Sequence, residues 1–187
     1  MILNIIIHNF TCIKQIDHPI LIKNRIKELD WHPERVWQKR ELKQIRKIIL
    51  HQEMGESSIE QVNKYQITAG ANNHISTKGC PHFCYHYGIR FDGEIIQANE
   101  LSDIVWHCRG ENTSSVGIML QGNFAGTGHE TGTGEPTKAQ LTSTGKLVDF
   151  LLESLQLNHH DVFGHYHFGK PACPGYVIQE WIENKRK

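Results

Sequence analysis

The sequence lacks an excess of either charge. Across 187 residues, 20 Lys and Arg balance 20 Asp and Glu, so no global field draws the chain toward nucleic acid or an anionic membrane surface. Thirteen histidines qualify that neutrality, because mild acid would turn the surface cationic. No apolar stretch approaches the roughly 20 residues of a membrane-spanning helix. The opening Met1-Ile2-Leu3-Asn4-Ile5-Ile6-Ile7-His8 is apolar but short. Without a basic leader or a small-residue cleavage site it reads as a strand, not a signal peptide, so a cytoplasmic site of synthesis is expected. An even cysteine count is also missing: five argue against a full disulfide framework. What is present is a 39% hydrophobic content, enough for a real core in one domain with an appendage, which excludes a disordered chain.

Along the chain, residues 1–40 mix apolar and basic character, with Ile20-Leu21-Ile22, Trp31 and Trp37 as anchors. They read as an N-terminal extension packed on a main domain of residues 41–187. Residues 42–51 rise into a core strand. Ser57 with Glu60 three residues on predicts a capped helix carrying Ile59, Val62 and Ile67 on one face. The clearest hairpin signal is Tyr85-His86-Tyr87-Gly88-Ile89-Arg90-Phe91, the turn Asp92-Gly93, and Glu94-Ile95-Ile96-Gln97. Val116-Gly117-Ile118-Met119-Leu120 predicts a central strand buried on both faces. The glycine-rich Gly126 to Gly134 stretch has no lysine and no strand-to-helix context for phosphate binding, and reads as a mobile loop at a cleft rim. Residues 136–157 carry the apolar stripe of a long helix. After Pro174-Gly175 a last helix would lay Tyr176, Ile178 and Trp181 on the sheet. Strands separated by helices predict an α/β fold, a mixed central sheet with helices on both faces.

The chemistry concentrates in Val162-Phe163-Gly164-His165 and, eight residues past that histidine, Cys173 in Cys-Pro-Gly. A loop of that length folds imidazole and thiolate onto one ion, and this pairing is zinc chemistry. Ile48-Ile49-Leu50-His51 delivers another histidine at the end of an apolar run. His51, His165 and Cys173 together leave a fourth tetrahedral position for water, the mark of a catalytic rather than a structural zinc site. His167 would share the face of His165 on a strand and competes as ligand, but the spacing to Cys173 favours His165. A structural zinc would need a fourth protein ligand, for which His167 is the nearest donor. A helix starting just after Cys173 would favour its thiolate. Cys80 and Cys84 with His82 lack the usual metal spacing and read as free buried thiols or one local disulfide; Cys12 and Cys108 fill core space. His74, His82, His129, His159 and His160 are expected on loops or the surface.

Five segments in order carry a resemblance: Ile48-Ile49-Leu50-His51; Cys84-Tyr85-His86-Tyr87-Gly88-Ile89 with Asp92-Gly93; Trp106-His107 with Asn112 and Ser115-Val116-Gly117-Ile118; Pro136-Thr137 with Gln140-Leu141; and Gly164-His165 with Cys173-Pro174-Gly175. From Ile48 to Trp181 the chain resembles the zinc-dependent N-acetylmuramoyl-L-alanine amidases of the amidase-2 group, which includes phage lysins and animal peptidoglycan recognition proteins. The resemblance implies the peptidoglycan-recognition-protein-like amidase fold and one catalytic Zn2+ on His51, His165 and Cys173. It implies Tyr85 as the catalytic tyrosine, with His107 and Asn112 along the substrate groove. The cysteine ligand is similar to the lysin and recognition-protein branch. Three departures stand out: Gln52 where many members have a second histidine, Met119 and Gln121 on a strand where some place a glutamate, and Pro171 in place of a lysine or threonine, with Lys170 one position earlier.

The implied activity is hydrolysis of the amide between N-acetylmuramic acid and L-alanine in peptidoglycan or a muropeptide. Tyr85 and Lys170 are the candidate oxyanion donors, and Tyr85 and His107 the candidates for proton delivery. Two rivals stand beside it: a non-catalytic peptidoglycan-binding module, and a cytoplasmic amidase acting on soluble muropeptides. The absent signal peptide suits that second rival and equally a lysin released to the wall through another protein's pore. The sequence points to no particular oligomeric state.

Overall fold

The computed structural model describes residues 20–125 and 134–187. The strand expected at residues 1–8, Cys12, His129 and residues 126–133 of the glycine-rich loop lie outside them. Among the described residues, β1 (Ile22–Asn24), β2 (Lys47–Gln52), β3 (Tyr87–Ile89), β4 (Ile95–Gln97), β5 (Ser115–Leu120) and β6 (Val162–Gly164) form one sheet in the order β1-β4-β3-β5-β2-β6. β3 and β4 are the expected hairpin and pair antiparallel; the other neighbours run parallel, so the sheet is mixed. Gly93 in the hairpin turn has φ +85°, a conformation that a side chain would strain.

Every residue of β5 is buried, as expected for a central strand. Side chains alternate across a strand, and the two faces divide accordingly. Ile48, Leu50, Val116, Ile118 and Leu120 pack with Leu147, Val148 and Leu151 of α2 (Lys138–Leu155) and Ile178 and Ile182 of α3 (Tyr176–Arg186). Met119 joins Phe83, Leu29 and Ile59, the first residue of α1 (Ile59–Ile67), on the opposite face. Helices therefore cover both faces, as the α/β reading requires. Thr137 caps α2, accepting from the backbone N–H of Gln140, whose side chain in turn accepts from the N–H of Thr137.

Three expectations need correction. The cap of α1 is Ser58 with Gln61, not Ser57 with Glu60, one residue further along. The buried side of α1 is Ile59, Asn63 and Gln66 rather than an all-apolar stripe, because the Gln66 side chain accepts from Cys84 N–H and Asn63 donates to Asp30 C=O. Tyr176 is 65% exposed, so Ile178 and Ile182 cover the sheet in its place. Residues 20–40 add the edge strand β1 beside β4, and Trp37 is buried with its indole N–H on Asn99 Oδ1. No helix among the described residues is long and apolar enough to cross a membrane.

Candidate metal centre

β2 and β6 run parallel with Leu50 opposite Gly164, and each strand delivers a histidine just beyond that pair. His51 is the next residue of β2; His165 opens a single 3-10 turn, His165–Phe168, where the chain leaves β6. The carboxyl ends of parallel strands are where such sheets bind ligands. Cys173 arrives from the loop before α3, and Gln52 holds that loop against β2. The Gln52 backbone N–H donates to Cys173 Sγ at 3.4 Å and its side-chain amide donates to Ala172 C=O at 2.6 Å. The amide oxygen of the same side chain accepts from Phe124 N–H. The backbone donor that reaches Sγ belongs to β2.

One ligand atom each from His51, His165 and Cys173 lies within 4.8 Å of the others, the single group of this kind among the described residues. His51 Nδ1 is 3.9 Å from Cys173 Sγ, and the two histidine rings are 4.5 Å apart. Burial pushes His51 well below the ordinary histidine range, and burial together with the Lys170 charge lowers His165 to about 4. Both rings are therefore neutral near pH 7, with lone pairs to offer. Burial pushes the Cys173 thiol up to about 12, so a cation is what would draw off its proton. Two neutral imidazoles and a buried thiol are a donor set that fits a metal ion. His167 is not in the cluster. The 3-10 turn removes it from the strand face of His165 and leaves its ring nitrogens 3.3 Å from Gly164 C=O and 3.2 Å from Arg186 Nη1.

Tyr85 stands two residues before β3, half-buried, its ring 5.0 Å from that of His51. Burial first, then the nearby Cys173 sulfur, raises its pKa well above the tyrosine norm, so the phenol keeps its proton. Lys170 is exposed, and its carbonyl accepts from Cys173 N–H at 2.9 Å. His107 and Asn112, expected along the groove, lie one layer behind His51. His107 is only 6% exposed, and its Nδ1 is 3.0 Å from His51 Nε2. The side-chain oxygen of Asn112 accepts from the backbone N–H groups of His107 and Cys108, holding the loop in shape.

His82, expected on the surface, is fully buried, stacked on Trp31 at 4.1 Å and bonded to Asn99. Cys80, Cys84 and Cys108 are free buried thiols. The sequence reading missed Arg40. Its buried guanidinium donates to the carbonyls of Leu101, Asn112, Thr113 and Ser115, at 2.7–2.9 Å, and so ties down the loop that carries His107. Burial lowers its pKa to about 10, against the opposing pull of Asp103. One of three arginines among the basic residues of the first 40, it carries no sequence signal of that role.

A mixed sheet covered by helices on both faces, with a donor cluster that could hold a metal ion at the ends of two parallel strands, defines an α/β domain with a candidate metal centre, and comparison narrows it. Residues 41–176 match the Amidase_2 family model, described as N-acetylmuramoyl-L-alanine amidase. The chain belongs to that family. It is 28% identical over 102 residues to an endolysin of Klebsiella phage KP32, covering 53% of this chain and 63% of that protein. It is 27% identical over 111 residues to peptidoglycan-recognition protein SC2 of Drosophila melanogaster, covering 59% and 55%. The chain thus spans less than two thirds of the length of these curated relatives. Among solved structures it is similar in fold to the N-acetylmuramoyl-L-alanine amidase LysC from Clostridium intestinale, with a TM-score of 0.63 at 21% identity, covering 88% of this chain and 95% of that one.

Proposed function

We propose that this chain is a zinc-dependent amidase that hydrolyses the bond between N-acetylmuramic acid and L-alanine in peptidoglycan. The observation that carries the proposal is the convergence of His51, His165 and Cys173 donor atoms within 4.8 Å, in a chain of the amidase family. Nitrogen and thiolate donors with one position left open suit zinc over harder cations. Zinc in such a set supplies Lewis acidity, bringing the pKa of water toward ~7 and polarising an amide carbonyl.

The rest is the work of this chain's own groups. In hydrolysis water adds to the lactyl carbonyl, the C–N bond breaks, and the L-alanine amine leaves with a proton. Tyr85, protonated and beside His51, is suited to donate to the carbonyl oxygen as negative charge develops there. Lys170 stands at the exposed rim of the same loop as Cys173, where its ammonium would act on the same charge. Digestion of purified cell wall tests the reading. New L-alanine amino termini without new reducing sugars are expected; reducing sugars alone would identify a glycosidase, and binding without any new ends would identify a recognition module. Running soluble muropeptides in parallel separates a wall-degrading from a fragment-recycling enzyme.

A further inference from the structure

We infer that His107 is a positioning residue which, with Ser115, fixes the proton of His51 on Nε2 and so turns the Nδ1 lone pair toward the metal position. The inference rests on the reading of His51 as a metal ligand. It follows from hydrogen-bond bookkeeping along one buried line. The carbonyl of Glu111 can only accept, and Ser115 Oγ donates to it at 2.7 Å; the Ser114 backbone N–H donates to the same oxygen at 3.0 Å and fills its second lone pair, while the Ser114 hydroxyl has Glu111 Oε2 as its own acceptor at 3.0 Å. Having given its one proton to Glu111, the Ser115 hydroxyl can only accept from His107 Nε2, 3.1 Å away. His107 is then the Nε2–H tautomer, and its Nδ1 has a lone pair. That nitrogen is 3.0 Å from His51 Nε2, which must therefore carry the hydrogen. In a neutral His51 ring the remaining lone pair is on Nδ1, the atom 3.9 Å from Cys173 Sγ.

The local sequence makes room for this line. Ser115, Gly117 and Met119 alternate onto the same face of β5. A Cβ on Gly117 would sit 2.6 Å from His107 Cγ, so only glycine lets the ring lie flat over the strand. Asn112 fixes the ring's own backbone through His107 N–H at 3.0 Å.

The test compares the wild type with His107→Leu, His107→Asn and Ser115→Ala. Zinc affinity is read by chelator competition, and ring tautomers by nitrogen-15 NMR of the metal-free and zinc-loaded full chain. Wild-type His51 and His107 should both carry hydrogen on Nε2. His107→Leu should weaken zinc binding by roughly 10- to 100-fold. His107→Asn, whose amide oxygen falls near the place of Nδ1, should recover most of that loss, and Ser115→Ala should show a smaller one with a mixed His107 tautomer. Hydrogen on His107 Nδ1 in the wild type, or unchanged zinc affinity in Ser115→Ala and His107→Leu, overturns the inference. If His107→Leu does not fold, the wild-type spectrum and Ser115→Ala still decide. A wild type that binds no zinc defeats the amidase reading, whereas the metal-free spectrum judges the proton line on its own.

Discussion

On one face of the sheet Ile48, Leu50, Val116, Ile118 and Leu120 meet the apolar sides of α2 and α3. One residue along the same strands, on the other face, stand His51, Ser115, Gly117 and Met119. The alternation that builds the larger dry core on one side thus brings His51, Ser115 and Gly117 to the other, beside a smaller apolar cluster around Met119. The first face is stabilised mainly by burial, with Gln140 of α2 donating to the carbonyls of Ile89 and Gln121. Around the ligand residues, hydrogen bonds add to the packing: Arg40 on the carbonyls of Asn112, Thr113 and Ser115, Gln52 of β2 on the Cys173 loop, and Asn112 under His107. Stability and chemistry should therefore separate on mutation, face by face.

The largest effect is expected at Cys173. Cys173→Ser replaces a thiolate donor by a neutral hydroxyl, so zinc affinity should fall by more than about 100-fold and turnover should disappear with it. Folding stability of the metal-free form should change little. Metal analysis and denaturant unfolding of the same preparation check both halves. Next comes Tyr85→Phe, which removes one hydroxyl beside His51; turnover should drop roughly 10- to 1000-fold with zinc retained. Unchanged turnover would make Tyr85 a packing residue.

Leu50→Ala breaks the other face. Leu50 is fully buried beside His51 in the sequence but points away from it, so about 2–5 kcal/mol of stability should be lost. Zinc affinity well below the unfolding transition should stay near the wild-type value. A large loss of zinc binding in the folded variant would mean that the two faces are not independent.

The pH dependence of the metal-free protein is a milder probe. His165 falls to about 4 and His107 to about 3 in the folded state, against an ordinary value of 6.5. Between those values the unfolded chain binds more protons, so stability should decline as pH drops below ~6.5 and continue to fall toward the folded values. Cys173 moves the other way, up to about 12 from 9.0. The unfolded chain then ionises first, and stability should decline again as pH rises above ~9. Denaturant unfolding from pH 4 to 10, without metal, should give a maximum between these limits; a curve rising steadily through pH 6 to 4 would contradict it. Smallest of all, Lys170→Ala should lower turnover several-fold, on the order expected for one partly solvated charge, while weakening substrate affinity less. Equal wild-type values for both would leave Tyr85 as the one side-chain donor assigned to the oxyanion.

The same contrast explains what could be read from the sequence. β5, the hairpin and α2 were visible because apolar periodicity and turn residues are local signals. The His51, His165 and Cys173 set was visible because few residue types offer soft donors, His165 and Cys173 lie eight residues apart, and His51 ends an apolar strand-like run. Polar residues that find tertiary partners were not. Asn63 and Gln66 break the apolar stripe of α1, yet they are buried because loop backbone supplies their partners. His82 resembled any surface histidine until Trp31 and Asn99 enclosed it. The spacing to Cys173 favours His165 over His167, and the cluster contains His165; the shared strand face expected for the pair is lost because the chain coils into a 3-10 turn at His165. Gln52, noticed as a departure from the family pattern, gave no hint that its amide spans from Ala172 to Phe124.

The central claim, that His51, His165 and Cys173 hold one metal ion on which amide hydrolysis depends, is tested most directly by removing that ion and restoring it. The purified protein should contain about one zinc per chain, lose muramoyl-L-alanine amidase activity when a chelator strips it, and regain activity when zinc is returned. Full activity with the metal verified absent would contradict the account.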